Sequence, residues 1–469
     1  MGNATKRTRM LLEAPIVPTL LRLTAPNILN LVAIAGLITF DGLFVGRLGA
    51  DALVGVSLVF PFVMFVQHTA ASGLGGAVSS AIARALGAGD RARADALAAH
   101  AFVIALALGA LVAALMLPLG PLVYRAMGGA DATLAAALGY SAVALGGAAS
   151  VSVLNILANV VRGTGAMTLP SGVLMGAVLL HAAISPVLIF GLGLGAAGAG
   201  WGLVISFTIG SAYLFLHLRK SDGPVRLTLR VPYRRELFRE ILRVGVPGIV
   251  NTAINNLAVI LLTAVAGHLG KATALGYAIG ARLEYIMLPL AFGFGAAMVA
   301  MVGTNWGARQ YERARCIGWT GALCVAAVCG AAGLFFAAFP ALWMGLYTSD
   351  EEVVRLGTLY LRTVGPAYLL YGLALGLYAA MQGIGSVNAA VLANALRLLI
   401  ATLGGLAAAT LLGAGALGMF LAVAAAFVAN AAINVYAFGS TGRQPGGRRS
   451  ILSGHPILPC FRRANLRSK

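Results

Sequence analysis

Only 14 of the 469 residues are Asp or Glu, so each acid can be placed. Twelve fall in polar stretches or at the ends of apolar runs. Two lie inside such runs: Asp41, in Ile38-Thr39-Phe40-Asp41-Gly42-Leu43, and Glu284, two residues after Arg282. A carboxylate at membrane depth costs about 3 kcal/mol or more unless it is neutral, paired or hydrated. Burial disfavours the charged form of a carboxylate, which suits such a group to proton exchange. Asp41 fits that task. It also fits a hydrated, structural position near the outer end of its run. Glu284 cannot share a helix face with Arg282 at a spacing of two. An acid there would concentrate lipophilic cations, or would pair with Arg282 or Arg397 to hold helices together.

The uncharged candidates follow the same two readings. His181 is suited to a proton relay and equally to packing. Asn155 and Asn159 lie one turn apart, as do Asn251 and Asn255. Their amides would line a polar cavity or tie helix to helix. Tyr277, Tyr285, Tyr371 and Met287 could form an aromatic, sulfur-bearing wall for flat cations, or simply pack. No GxxxxGK[ST], HExxH or CxxC motif occurs, so neither a nucleotide site, a metal nor a cofactor is expected, and catalysis is not indicated.

These residues need elements to carry them. The chain is 60% hydrophobic and 10% charged, with a mean hydropathy of +0.91. That composition excludes both a soluble domain and disorder. A helix crosses a bilayer with about 20 apolar residues. Twelve runs qualify: 23–46, 52–83, 98–121, 134–161, 167–190, 196–217, 241–267, 273–303, 316–344, 356–382, 387–411 and 415–438. An all-α membrane protein is expected. The formal net charge of +19 is then a topology label, because 26 of the 33 Lys and Arg fall on one side. The positive-inside rule makes that side cytoplasmic, with both termini inside and the chain in the inner membrane. Nucleic-acid binding is not expected from bases so scattered. The basic tail, 439–469, is read as disordered and close to anionic lipid headgroups.

The chain also repeats itself. At a lag of 221, Pro26 meets Pro247, and Gly46, Leu48 and Gly49 meet Gly267, Leu269 and Gly270. At a lag of 220, Gly87, Gly163, Gly165, Gly193, Gly195 and Gly198 meet Gly307, Gly383, Gly385, Gly413, Gly415 and Gly418. Each half holds six runs, so both halves have the same orientation. Parallel repeats of this kind belong to secondary transporters, with a cavity between two bundles. The expected organisation is a cytoplasmic segment 1–22, a lobe 23–217, a basic linker 218–240, a second lobe 241–438 and the tail. The two six-helix lobes would be related by a pseudo-two-fold axis around a central cavity.

At Phe40-Asp41-Gly42-Leu43-Phe44-Val45-Gly46-Arg47-Leu48-Gly49-Ala50-Asp51 the sequence resembles the first-span signature of the multidrug and toxic compound extrusion (MATE) family. Pro26, Gly163-Thr164-Gly165 and Gln382-Gly383-Ile384-Gly385 extend the resemblance, which covers about residues 15–438. It implies export of organic cations and drugs against an H⁺ or Na⁺ gradient by rocking of two lobes, with Asp41 as the coupling carboxylate. Pro26, Gly163 and Gly383 then serve as hinge or packing positions, and a monomer is the expected form. Two departures from the family pattern matter. Its fifth span often reads Asn-x-x-x-Asp-Pro, and here it reads His181-Ala182-Ala183-Ile184-Ser185-Pro186. The acid expected early in the seventh span is Asn255. Na⁺ favours several hard oxygen ligands, so one carboxylate beside an imidazole points to protons. Asp41, His181, Asn155 and Ser185 form the expected coupling set. Glu284, Arg282, Asn255, Asn159, Tyr277, Tyr285, Tyr371 and Met287 form the expected substrate wall. The alternative from the same superfamily is a flippase for lipids or lipid-linked oligosaccharides.

Overall fold

Nearly every residue described by the computed structural model is helical, and none of them forms a strand. The described residues are 3–220, 223–228, 230 and 232–441; the side chains of 3–5, 28–35, 38, 285 and 286 lie outside that description. Tyr285 and most of the basic tail therefore fall outside it.

Among the described residues, ten helices are long and apolar enough to cross a membrane. The pair Asp131–Ala144 and Ala148–Gly163, bent by 46°, makes an eleventh span. The 31-residue helix Ile16–Gly46 supplies the twelfth. At about 1.5 Å per residue such a helix exceeds the ~30 Å hydrocarbon core, so span ends project into the headgroups. Exposed leucines such as Leu111, Leu115 and Leu122 along Arg91–Ala126 face outward, as a lipid-facing surface requires.

Several boundaries differ from the sequence reading. The expected cytoplasmic segment 1–22 contains the helix Asn3–Glu13 and the start of the first membrane helix, at Ile16. The ninth span ends at Ala338, and Pro340–Met344 forms a separate short helix. Proline drives the residue before it out of the α region, and Phe339 sits at φ −122°. The linker is shorter than 218–240, because one helix runs to Lys220 and the next begins at Arg235.

The contacts divide the chain into two compact units, Met1–Leu12 with Arg22–Ile249, and Glu13–Leu21 with Val250–Lys469. The duplication is written into the backbone of both. Gly49 and Gly270 have φ of 113° and 122°; Gly165 and Gly385, 81° and 91°; Gly193 and Gly413, 66° and 63°. Even Gly89 is matched by a non-glycine, Arg309, at φ 61°. The break at Leu145–Gly147 in the fourth span recurs, 220 residues on, as the 3₁₀ turn Gly365–Ala367 in the tenth. The close packing repeats as well. A Cβ on Gly163 would stand 2.8 Å from the Ser79 carbonyl oxygen and 3.1 Å from Ile82. One on Gly383 would stand 3.2 Å from the Val299 oxygen and 2.9 Å from Val302. Both glycines thus let two helices touch at equivalent places, as membrane bundles demand.

The linker in the first unit is docked. Asp95 accepts the Arg226 N–H at 2.6 Å, and Arg91 donates to the Gly223 carbonyl at 2.7 Å. Buried His100 accepts the Arg234 N–H on Nε2 at 2.9 Å, while Nδ1 lies 2.7 Å from the Ala96 carbonyl oxygen. Val225 and Leu227 are buried beneath it. Glu240 pairs with Arg93 at 2.7 Å and Arg84 at 3.2 Å.

Candidate functional site

In the first unit the structure joins Asp41 to His181. The imidazole Nε2 lies 2.8 Å from Asp41 Oδ1, with His181 wholly buried and Asp41 8% exposed. Ser185, one turn on, places its hydroxyl 3.2 Å from Nδ1. The three form a chain of carboxylate, imidazole and hydroxyl, in which an imidazole with its hydrogen on Nε2 would donate to the carboxylate and accept from Ser185 on Nδ1. Gly202 makes the room. A Cβ there would stand 2.1 Å from Ser185 Oγ. Pro186 and the π-turn Val187–Gly191 follow directly, a helix irregularity of the kind found beside functional residues.

Asn155 does not join that chain. Its amide donates to Gln67 Oε1 at 3.0 Å and to its own helix at Val151, so it ties the second span to the fourth. Asn159, expected in the substrate wall, also bonds within the helix bundle. Its amide donates to the Ala71 and Asn155 carbonyls, both at 2.9 Å. Ala71 lies in the π-turn Thr69–Gly73, whose register shift leaves a carbonyl to satisfy. Gly75 clears the space, since a Cβ there would meet Asn159 Nδ2 at 2.3 Å.

The second unit carries the other acid. Glu284 accepts hydrogen bonds from Tyr360 at 3.0 Å and Tyr368 at 3.3 Å, and the two hydroxyls are 3.1 Å apart. Tyr277 packs edge-on against Tyr360, with ring centroids 5.6 Å apart. Met287 is buried. Arg282 stands apart from this group: it is exposed, 5.0 Å over the Tyr347 ring. The base that does lie deep is Arg397. It donates to Asn255 Oδ1 at 2.8 Å and lies 5.6 Å over Tyr371 and 5.7 Å over Phe427. Asn394 donates to Asn251 at 2.9 Å and to Asn255 at 3.0 Å, and Asn430 reaches Asn394 at 3.4 Å.

Sequence reasoning missed Gln67, Gly202, Tyr360, Asn394 and Asn430 as partners. One signal was available. Tyr360 lies 220 residues after Tyr140, which is buried within electrostatic reach of Asp41. Equivalent tyrosines therefore attend the acid of each half. Among the described residues no group of three or more His, Cys, Asp or Glu is placed to hold a metal.

The MatE family profile matches residues 26–187 and again 247–407, one match per half. The chain belongs to the MatE family. It is a multi-pass membrane transporter of the multidrug-efflux type, driven by an ion gradient and not an enzyme. It is 24% identical over 310 residues to a FAD transporter of Shewanella oneidensis, covering 65% of this chain and 68% of that one. It is 25% identical over 354 residues to the probable multidrug resistance protein YoeA of Bacillus subtilis, covering 73% and 76%. The multidrug export protein MepA of Staphylococcus aureus is 24% identical over 58% of this chain and 61% of its own length. Among solved structures, a MATE protein in the bent conformation superposes with a TM-score of 0.85 at 23% identity, covering 99% and 100% of the two chains. An outward-facing multidrug resistance MATE transporter gives 0.80 at 25% identity, covering 92% and 96%. The twelve-helix, two-lobe architecture is that of these transporters.

Proposed function

We propose that this chain is an inner-membrane antiporter, both termini cytoplasmic, that exports organic cations and drugs in exchange for protons, with Asp41 as the proton carrier. The carrying observation is the buried contact between Asp41 and His181. One carboxylate with an imidazole and a hydroxyl offers a proton two nitrogen or oxygen stations, and offers Na⁺ few hard oxygens.

The cycle follows from linkage. With Asp41 ionised the inward-facing state takes up a cationic substrate from the cytosol or inner leaflet. The lobes then rock to expose the site outside. Protonation of Asp41 from the outside neutralises the carboxylate, weakens its hold on a cation and favours release. His181 passes the proton inward as the chain returns, and its loss to the cytosol resets Asp41. Exchange is coupled because the two states differ in affinity for proton and for drug. In sodium-free proteoliposomes an imposed pH gradient is expected to drive dye export, and Asp41→Asn to abolish it. A strict Na⁺ requirement would sink the proposal.

A second reading, export of an anionic aromatic cofactor, is favoured by the Shewanella oneidensis relative's name and by the buried base Arg397 in the second unit. A pH-driven flux of flavin dinucleotide, with no flux of organic cations, would establish it over the first.

A further inference from the structure

Residues 235–249 of the helix Arg235–His268 belong to the first unit. One face of this segment is buried. Leu237, Ile241 and Val244 pack inward, and a Cβ on Gly248 would stand 2.9 Å from the Gly73 Cα. The opposite face is exposed and changes character along its length. It begins with Arg235, Arg239 and Arg243, spaced four apart, and passes into Leu242 and Val246, 37% and 50% exposed. At about 3.6 residues per turn these five share one side of the helix. A face that is basic at one end and apolar at the other crosses from headgroups into hydrocarbon. Tyr233 is exposed at the basic end, the level at which amphipathic rings collect.

The three bases break two local rules. Like charges four apart on a helix repel, and Arg235 sits at the end where the helix dipole favours anions. Nearby acids leave the ladder unbalanced. Glu240 is turned to Arg84 and Arg93, and Glu236 could match one charge of three. Among the described residues Arg235, Arg239 and Arg243 form no ion pair. Nor does the fold demand them. At the lag of 221 Arg235 and Arg239 meet Ala14 and Pro18 of the first half, and only Arg243 meets a base, Arg22. The backbone leading into them is held by His100 and Asp95, so the charges form a fixed array. At the junction of linker and helix an open cleft of about 390 Å³ is lined by Arg234, Arg235 and Glu236. That volume lies in the range of small-ligand sites.

We propose that this face binds an acidic phospholipid that carries two phosphates on one glycerol bridge, of the cardiolipin type. Arg239 and Arg243, one turn apart, each take a phosphate through planar, charge-assisted hydrogen bonds. Arg235 borders the cleft, where Glu236 accepts the free hydroxyl of the bridging glycerol. The acyl chains lie along Leu242 and Val246. Two linked phosphates neutralise neighbouring rungs of the ladder at once, which a single phosphate cannot do. The site is independent of the coupling ion and of the cargo. Only its leaflet, the cytoplasmic one, rests on the orientation proposed above.

Native mass spectrometry of the full-length protein in detergent, titrated with cardiolipin, phosphatidylglycerol or phosphatidylcholine, reads each bound population. The first cardiolipin is expected to bind about tenfold or more tighter than phosphatidylcholine, with phosphatidylglycerol between them. The double variant Arg239→Gln/Arg243→Gln should weaken cardiolipin about tenfold or more, the scale of two bases at an anionic surface. It should leave phosphatidylcholine unchanged, which a fold defect would not. Arg47→Gln/Arg125→Gln removes the same charge from exposed positions at the other end of the spans and should bind cardiolipin as the wild type does. Equal affinity for the three lipids overturns the proposal. So does equal weakening by both double variants, which would make the effect one of net charge. Displacement of cardiolipin by equimolar inorganic pyrophosphate would give the site to a soluble anion and overturn the lipid assignment. The measurement needs no gradient, so a protein that proved sodium-coupled would keep this site and lose only the proton reading.

Discussion

His181 Nε2 and Asp41 Oδ1 lie 2.8 Å apart, from two helices 140 residues distant in the chain, with Ser185 on the other side of the ring. The imidazole both orients the carboxylate and offers its proton a second site. His181→Gln keeps an N–H that can reach Asp41 but cannot relay. Proteoliposome export in a fixed pH gradient is expected to fall about tenfold or more, within the range for loss of a positioned acid–base group. Export at the wild-type rate in this variant would remove His181 from the proton path.

Gly202 tests whether Ser185 matters. Its missing side chain is the space that the Ser185 hydroxyl occupies. Gly202→Ala should displace that hydroxyl and slow export, and Ser185→Ala should do the same. If the hydroxyl is the shared cause, the double variant will be no slower than either single one, so the coupling energy in the cycle is non-zero. Additive losses would mean that Gly202 acts by helix packing alone.

Gly163 and Gly383 make a matched pair of predictions. Each admits a neighbouring helix at equivalent positions of the two repeats. Alanine at either site should therefore destabilise the protein by a similar amount, about 1–3 kcal/mol for an overpacked contact, read as a lower melting temperature in detergent. Full tolerance of Gly163→Ala beside a large loss for Gly383→Ala would show that the packing equivalence has no energetic counterpart.

Much of the fold could be read in advance because its causes are local. A run of about 20 apolar residues has few alternatives in a bilayer, and glycines at a fixed lag mark turns that need positive φ, as at Gly193 and Gly413. Asp41 was visible for the same reason, as a carboxylate where carboxylates are costly. His181 and Ser185 stood beside it in the expected coupling set, but the partners of the asparagines were not visible. Asn155 and Asn159 are spaced to line a cavity, yet their amides are spent on Gln67 and on the π-turn at Ala71. Such turns depend on which helix packs alongside, and spacing along one helix does not contain that. Asn394 and Asn430 come together only through the packing of the last two spans, whereas Arg282, close to Glu284 in sequence, points elsewhere. A spacing of two residues on a helix already separates their faces.

The linker offers the last prediction. It carries the densest run of bases in the chain's interior, and by charge alone it would be a free, solvated strand. Instead the Arg234 N–H is held by His100 Nε2 at 2.9 Å, and the His100 ring packs edge-on against Tyr233 and Phe238, with centroids 5.5 and 4.6 Å away. Both ring nitrogens are engaged, so one buried side chain anchors the segment just before the seventh span. His100→Ala removes that anchor and leaves the Arg234 N–H without its acceptor. Local opening should become easier by about 1–3 kcal/mol. Trypsin cuts after Arg, and the segment offers Arg226, Arg230, Arg234 and Arg235. Limited proteolysis of the folded protein should then cleave within 226–235 about tenfold faster in His100→Ala. His217→Ala, which alters an exposed histidine on the helix before the linker, should cleave at the wild-type rate. Equal cleavage of wild type and His100→Ala would mean that the other contacts, from Asp95 to Arg226 and from Arg91 to Gly223, suffice to dock the linker.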